Sequence, residues 1–377
     1  MNIAYAEEAS ETPKDSVTEE ELDGHIKDIL GNIDSDELDD YLENNFSLDF
    51  FSVGSFKSLV SHILNGTYFD EYGSLWNGVV EFIKSNIRSV FTIFMCLLCL
   101  VILFELFNNF CIDKYKDMKK TVKVIFSLVI ILIVLYLFKD VSSIIYEVME
   151  KIFSFAKVLF PILLNLILLS GASGTYSVYS SLSVFLLGTG AYLFIYVLFP
   201  LSVSIMLLGV FGSAFSSARF SKLTDLLKTI FKYVIGIFFG IFGLFSAVNL
   251  VSSSVRDGVS MRLTKYAIKN YIPLLGGYIS DGFNFVHTCS VLVKNAFGVG
   301  GILVLFLIVL RPILIYFVQM ILFKVLAIVV SFVGNNHFSD MFNNVSKGMS
   351  HFIAILVGLF FILFVFIYLL IVSVAVI

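Results

Sequence analysis

The chain has 377 residues, of which 58% are hydrophobic and 16% aromatic, including 41 Phe, and only 14% are charged. Soluble domains carry about a quarter of their residues as charges, so this composition, with a mean hydropathy of +0.94, excludes a water-soluble globular protein and leaves lipid as the main solvent. The net charge of −4 hides an asymmetry: residues 1–50 hold sixteen of the 29 Asp and Glu but two of the 25 Lys and Arg, leaving an acidic head before a basic, apolar body.

The fold class expected is all-α: a polytopic helical membrane protein whose helices include interfacial or re-entrant broken segments. Residues 1–84 read as an acidic, partly helical extracytoplasmic region and 85–377 as a membrane domain of about six to eight spans. The acidic head reads as a solvated lead-in; capture of cations or of a basic partner is the alternative. Ala4-Tyr5-Ala6 resembles a small-x-small cleavage site with no basic or apolar stretch before it. A truncated signal peptide and a chance match both fit, and the first would put the head outside the cytoplasm.

Thr18 to Glu21 has the form of a capping box, and Leu22, Ile26, Ile29, Leu30 and Ile33 follow helical spacing. Asp34 or Ser35 caps a second short helix, and Phe56, Leu59, Val60, Ile63 and Leu64 mark an amphipathic third. Tyr68, Tyr72 and Trp76 stand where interfacial aromatics precede a span. Ile87–Phe110 is the first span predicted. Five lysines between Lys114 and Lys123 follow it, and a short basic loop between spans assigns that side to the cytoplasm. Val124–Phe138 is the second span.

Residues 141–157 mix Glu147, Glu150, Lys151 and Lys157 with apolar side chains, which predicts an interfacial helix bending at Pro161 into a span ending at Leu169. Val184–Phe211 is too long for one untilted span and contains Gly188, Gly190 and Pro200; a kinked helix and a tight hairpin both fit. Phe215–Lys232 reads as a basic amphipathic helix, and Tyr233–Val251 as a span whose Gly236 and Gly240 permit close helix contact.

Residues 252–295 are too apolar for a free loop and too charged for an ordinary span. Arg256, Arg262, Lys265 and Lys269 are followed by Asn270, Pro273, the Gly276-Gly277 pair and the Asp281-Gly282 turn. Two surface helices with an elbow, or a re-entrant hairpin along an aqueous route, both satisfy this pattern. Arg311-Pro312 is expected to end one helix, with Arg311 an interface anchor or an interior partner; Leu314–Val333 and His351–Ile377 complete the spans.

Enzyme chemistry is missing. Cys96 and Cys99 form a C-x-x-C inside an apolar helix, and the five histidines never fall at metal-ligand spacing. There is no phosphate-binding G-x-x-x-x-G-K-[ST], no G-x-S-x-G, and no Asp in the long spans. No catalytic residue, metal, cofactor or nucleic-acid partner is expected. What remains is a structural or channel subunit, or alternatively a small-solute transporter or permease.

Three stretches together, GSAFSSARFSKLTDLLKTIFKY (212–233), KYAIKNYIPLLGGYISDG (265–282) and LVKNAFGVGGILVL (292–305), resemble the membrane portion of the stage III sporulation protein AE family. The resemblance covers roughly 85–377 and maps a signature core onto Lys265, Asn270, Pro273, Gly276, Gly277, Asp281, Lys294, Asn295 and Gly298. It implies a non-enzymatic platform or conduit of a secretion-like channel between mother cell and forespore, in the mother-cell-derived outer forespore membrane. It also implies partners: sibling membrane and ring-forming proteins of the same operon, a cytoplasmic ATPase of the complex, and the lipid bilayer.

Overall fold

A computed structural model describes residues 19–33, 36–45, 55–65, 72–110, 116–215, 218–271 and 276–374; side chains outside the description are chiefly those of 72–90 and 248–284. Every regular element among the described residues is helical, as expected of a polytopic all-α protein. Three short helices, α1 (Glu19–Asn32), α2 (Asp36–Asn45) and α3 (Phe56–Leu64), form the head. The body comprises α4 (Tyr72–Phe110), α5 (Lys116–Leu169), α6 (Ser173–Phe185), α7 (Phe199–Ala214), α8 (Ala218–Tyr271), α9 (Gly276–Phe332) and α10 (Asn336–Val372). Among the described residues, six stretches of these helices are long and apolar enough to cross a membrane.

Several expected boundaries dissolve. Helix α4 begins at Tyr72, well before Ile87. Helix α5 runs unbroken from Lys116 to Leu169, so the expected span, interfacial helix and second span are one element with Pro161 inside it. Helix α9 likewise passes through Arg311-Pro312 instead of ending there. Proline removes one bond to the carbonyl four residues back. Stopping the helix would strip several more, and away from water each is expensive. Packing holds both sides of each proline: Leu159, Phe160 and Leu163 are fully buried around Pro161, as is Tyr316 beyond Pro312.

The 184–211 run is the long helix of the two alternatives, not the hairpin. Between α6 and α7 the backbone stays helical but widens into two π-helical stretches, Leu186–Gly190 and Leu193–Leu198, making one crossing. Helix α8 absorbs most of the basic amphipathic piece and the following span, and continues through Lys265 and Asn270. Pro273 lies outside the described residues, and Gly276-Gly277 open α9 in helical conformation.

Side-chain pairings set the directions. Helix α5 tracks α10 from Ser127 beside His337, through Phe138 on Phe352, to Phe160 on Phe366 at 4.5 Å between ring centroids. It runs against α9, with Tyr316 Oη donating to the Val141 carbonyl at 3.2 Å and His287 Nδ1 donating to that of Ser170 at 2.7 Å. Phe104 of α4 packs edge-on to Phe338, and Asn344 of α10 donates to the Gly209 carbonyl of α7. One end of the bundle therefore gathers the starts of α5, α8 and α10 and the ends of α4, α7 and α9. Lysines crowd this end: Lys119, Lys120, Lys123, Lys222, Lys228, Lys232, Lys324 and Lys347.

The head docks on the flank of the bundle. Ser55 caps α3 by accepting from Ser58 N, and the Asp39 carboxylate accepts from Phe56 N at 2.6 Å, tying α2 to α3. Leu38, Phe56, Leu59 and Val60 are buried. Tyr41 stacks near Phe155 and donates its hydroxyl to the Lys151 carbonyl at 2.8 Å, while Phe56 meets Phe297 at 5.4 Å. Acidic composition set the head apart in sequence; its apolar face joins it to α5 and α9.

Candidate functional site

The segment Lys294–Gly301, KNAFGVGG, lies on α9 where four helices meet. Successive helical residues turn by about 100°, so Gly298, Gly300 and Gly301 face different neighbours. A methyl group on Gly298 would sit 2.5 Å from Ile371 Cγ1 of α10. One on Gly300 would come within 2.8 Å of Leu59 Cδ2 of α3, and one on Gly301 would collide with Leu159 of α5. Each missing Cβ admits a side chain from a different helix, and Phe297, fully buried, fills the space beside Phe56. The motif is a packing hub joining head, α5, α9 and α10.

Lys294 supplies the hub's polar centre. It is fully buried, and its Nζ donates to the carbonyls of Ile371 at 2.8 Å and Val374 at 3.2 Å. The last carbonyls of a helix lack intrahelical partners, and a cation suits that end of the helix dipole. A lysine from α9 thus caps α10. Beside it, the Asn295 Oδ1 atom is buried without a hydrogen-bond partner among the described residues.

The other signature positions fall differently. Lys265 and Asn270 lie on the backbone of α8, and Gly276, Gly277 and Asp281 on the first turns of α9, but their side chains are outside the described residues. Pro273 is outside altogether. Arg311 is exposed on α9, away from the hub. Sequence reasoning passed over Gly300 and Gly301 as contact points although they stand in the quoted stretch; the signal was three small residues spaced around one helix.

The site has hydrogen-bond donors and close-packed carbon, without a nucleophile and base poised together. Among the described residues no group of three His, Cys, Asp or Glu is placed to hold a metal. Cys96 and Cys99 are exposed and unbridged on α4, and Cys289 is buried. A cavity of about 190 Å³ lies between α4, α5, α9 and α10, walled by Phe94, Val141, Tyr316 and Phe323, with Asp140 and Gln319 at its edge. It is mainly apolar.

The sequence profile of the stage III sporulation protein AE family matches residues 54–374. The chain belongs to this family. The match takes in α3, the whole hub and all six apolar stretches. Stage III sporulation protein AE of Bacillus subtilis (strain 168) is 26% identical over 210 residues, covering 56% of this chain and 53% of that protein. The alignment thus spans about half the length of the curated relative. No solved structure matches. Family membership and the helical body together make the protein a multi-pass membrane component associated with sporulation.

Proposed function

We propose that the protein is a membrane platform or conduit subunit of a secretion-like channel between mother cell and forespore, set in the mother-cell-derived outer forespore membrane. The observation that carries this reading is the length of the bundle. Helix α5 keeps contact with α9 and α10 from Ser127 to Ser170, a path of about 65 Å at 1.5 Å per residue. A bilayer's hydrocarbon is about 30 Å thick. Part of the bundle must project from the membrane, which a platform needs and a minimal permease does not.

The preference for Lys and Arg on the cytoplasmic side directs the lysine-rich end toward the mother-cell cytoplasm. The head and the opposite end then face the space between the two membranes. There Leu168, Leu169, Val184 and Val286 are exposed apolar side chains suited to burial against sibling membrane and ring-forming proteins of the same operon. A cytoplasmic ATPase of the complex would approach from the lysine-rich end. The broken region around Lys265, Asn270, Pro273, Gly276, Gly277 and Asp281 is the segment we assign to the conduit or docking ring.

Photo-crosslinking residues placed at Leu169 and Val286 test this in sporulating cells. Crosslinks to proteins of the same operon at both sites are expected, and from Leu132, on the apolar face of α5 nearer the lysine-rich end, none. Solute accumulation in proteoliposomes holding this chain alone, driven by an ion gradient and with no crosslinks at Leu169 or Val286, would replace this reading with a transporter.

A further inference from the structure

At the lysine-rich end a polar cavity of about 530 Å³ opens between the starts of α5, α8 and α10 and the end of α7. Its charged lining comes from three helices: Lys123 of α5, Asp225 and Lys228 of α8, Asp340 and Lys347 of α10. None of these residues belongs to the signature core, and the three helices that supply them are remote from one another in sequence. Asp225 is engaged with Lys228 at 3.3 Å. Neither Lys123 nor Lys347 has an ion-pair partner among the described residues. Three lysines against two aspartates leave the cavity one formal positive charge in excess.

The walls between these charges are hydroxyls and amides, among them Ser213, Thr224 and Asn344. Asn344 is fixed by donating its amide to Gly209 O at 3.2 Å and to Ser213 Oγ. On the side of α8 turned away from the cavity, Phe220, Leu223 and Leu226 are 38%, 44% and 55% exposed. The cavity is polar inside, cationic by one charge and set at the end of a membrane bundle.

We propose that this cavity binds the phosphodiester of an anionic phospholipid headgroup, with Lys123, Lys228 and Lys347 on the phosphate oxygens and the acyl chains in the bilayer around this end of the bundle. One monoanion balances the cavity's surplus charge. The two aspartates accept from headgroup hydroxyls, so a glycerol headgroup fits better than a bulky methylated ammonium. A soluble glycerol phosphate presents the same phosphate and hydroxyls without the chains; the position of the cavity at the ends of bilayer-length apolar helices favours the lipid.

The full chain, purified in detergent and titrated with phosphatidylglycerol or phosphatidylcholine, is read by native mass spectrometry. Tighter binding of phosphatidylglycerol is expected. Each lysine near an anionic surface contributes about 1 kcal/mol, a factor of about five. Lys347→Gln, an exposed change that leaves the fold intact, weakens retention about fivefold, and the triple change Lys123→Gln, Lys228→Gln, Lys347→Gln about a hundredfold. A control removing three lysines elsewhere on α5, Lys139→Gln, Lys151→Gln, Lys157→Gln, leaves retention unchanged. Equal retention by wild type and the Lys123, Lys228, Lys347 variant overturns the site, as does equal loss in the control. Glycerol phosphate at matched concentration decides the source: displacement of the lipid assigns the phosphate site to a soluble ligand, and failure to displace it assigns the site to the headgroup.

Discussion

Gly301 and Gly240 have the same side chain and opposite surroundings. A Cβ at Gly301 would run into Leu159, which is itself fully buried, whereas one at Gly240 would meet no described residue within 4 Å. Gly301→Val must displace packed side chains, and overfilling of this kind costs about 1–3 kcal/mol. Gly240→Ala instead gains helix propensity of up to about 1 kcal/mol. Thermal unfolding in detergent should therefore fall for the first and hold or rise for the second. The Gly236-x-x-x-Gly240 spacing, which by sequence offers close helix contact, finds no neighbour among the described residues at either position. Lys294 makes a second prediction at this scale. Lys294→Met keeps the buried stem but leaves the carbonyls of Ile371 and Val374 without their donor. An unsatisfied buried acceptor costs about 1–3 kcal/mol, so hydrogen exchange should quicken locally in the last turn of α10, with the centre of that helix unaffected. Equal acceleration throughout α10 would mean that Lys294 supports the whole bundle and is not a terminal cap.

Among the elements, α2 shows how the head is held. Tyr41 is half-buried against α5, and burial raises its phenol well above the ordinary value of 10.0. The folded state thus holds the phenolic proton more tightly than the free chain does. Docking is constant below about pH 10 and weakens as pH rises beyond it, because the unfolded phenol ionises first. Tyr41→Phe removes the 2.8 Å bond to the Lys151 carbonyl and should cost about 1 kcal/mol, or about fivefold more frequent opening of α2 by hydrogen exchange. The apolar spacing of Phe56, Leu59 and Val60 was legible as a helix, because a period of 3.6 is a local property. The continuity of α5 and α9 was not. Pro161 and Pro312 carry a local stop signal, and only the burial of Leu163 and Tyr316 beyond them shows why the helices go on. The junction was half legible: K-N-A-x-G-x-G-G stands out in the chain, but contacts such as Gly298 with Ile371 join residues far apart in sequence, which no periodicity reports. Lys123, Lys228 and Lys347 were visible only as separate basic positions until the fold brought their helices to one cavity.

At the scale of the whole molecule the composition says how much of the chain is apolar, and the pairings say over what length that apolar material is stacked. These disagree with a simple bundle one bilayer thick. Helix α5 has exposed apolar side chains from Val124 and Leu132 through Tyr136 to Ile144, and again at Leu168 and Leu169. About 20 helical residues cross the hydrocarbon, so lipid cannot cover all of these positions at once. Single cysteines at each, in a background lacking Cys96, Cys99, Cys111 and Cys289, can be challenged with a membrane-impermeant maleimide in proteoliposomes holding the protein alone. The expected pattern is one protected stretch of about 20 residues, with labelling at the positions that project beyond it. In sporulating cells holding the whole assembly, the projecting positions should become protected while the lipid-covered stretch stays as it was. That change would trace partner contact along the projecting surface. Protection at every position in the protein alone would mean that α5 lies folded along the membrane, and the projecting platform would have to be abandoned.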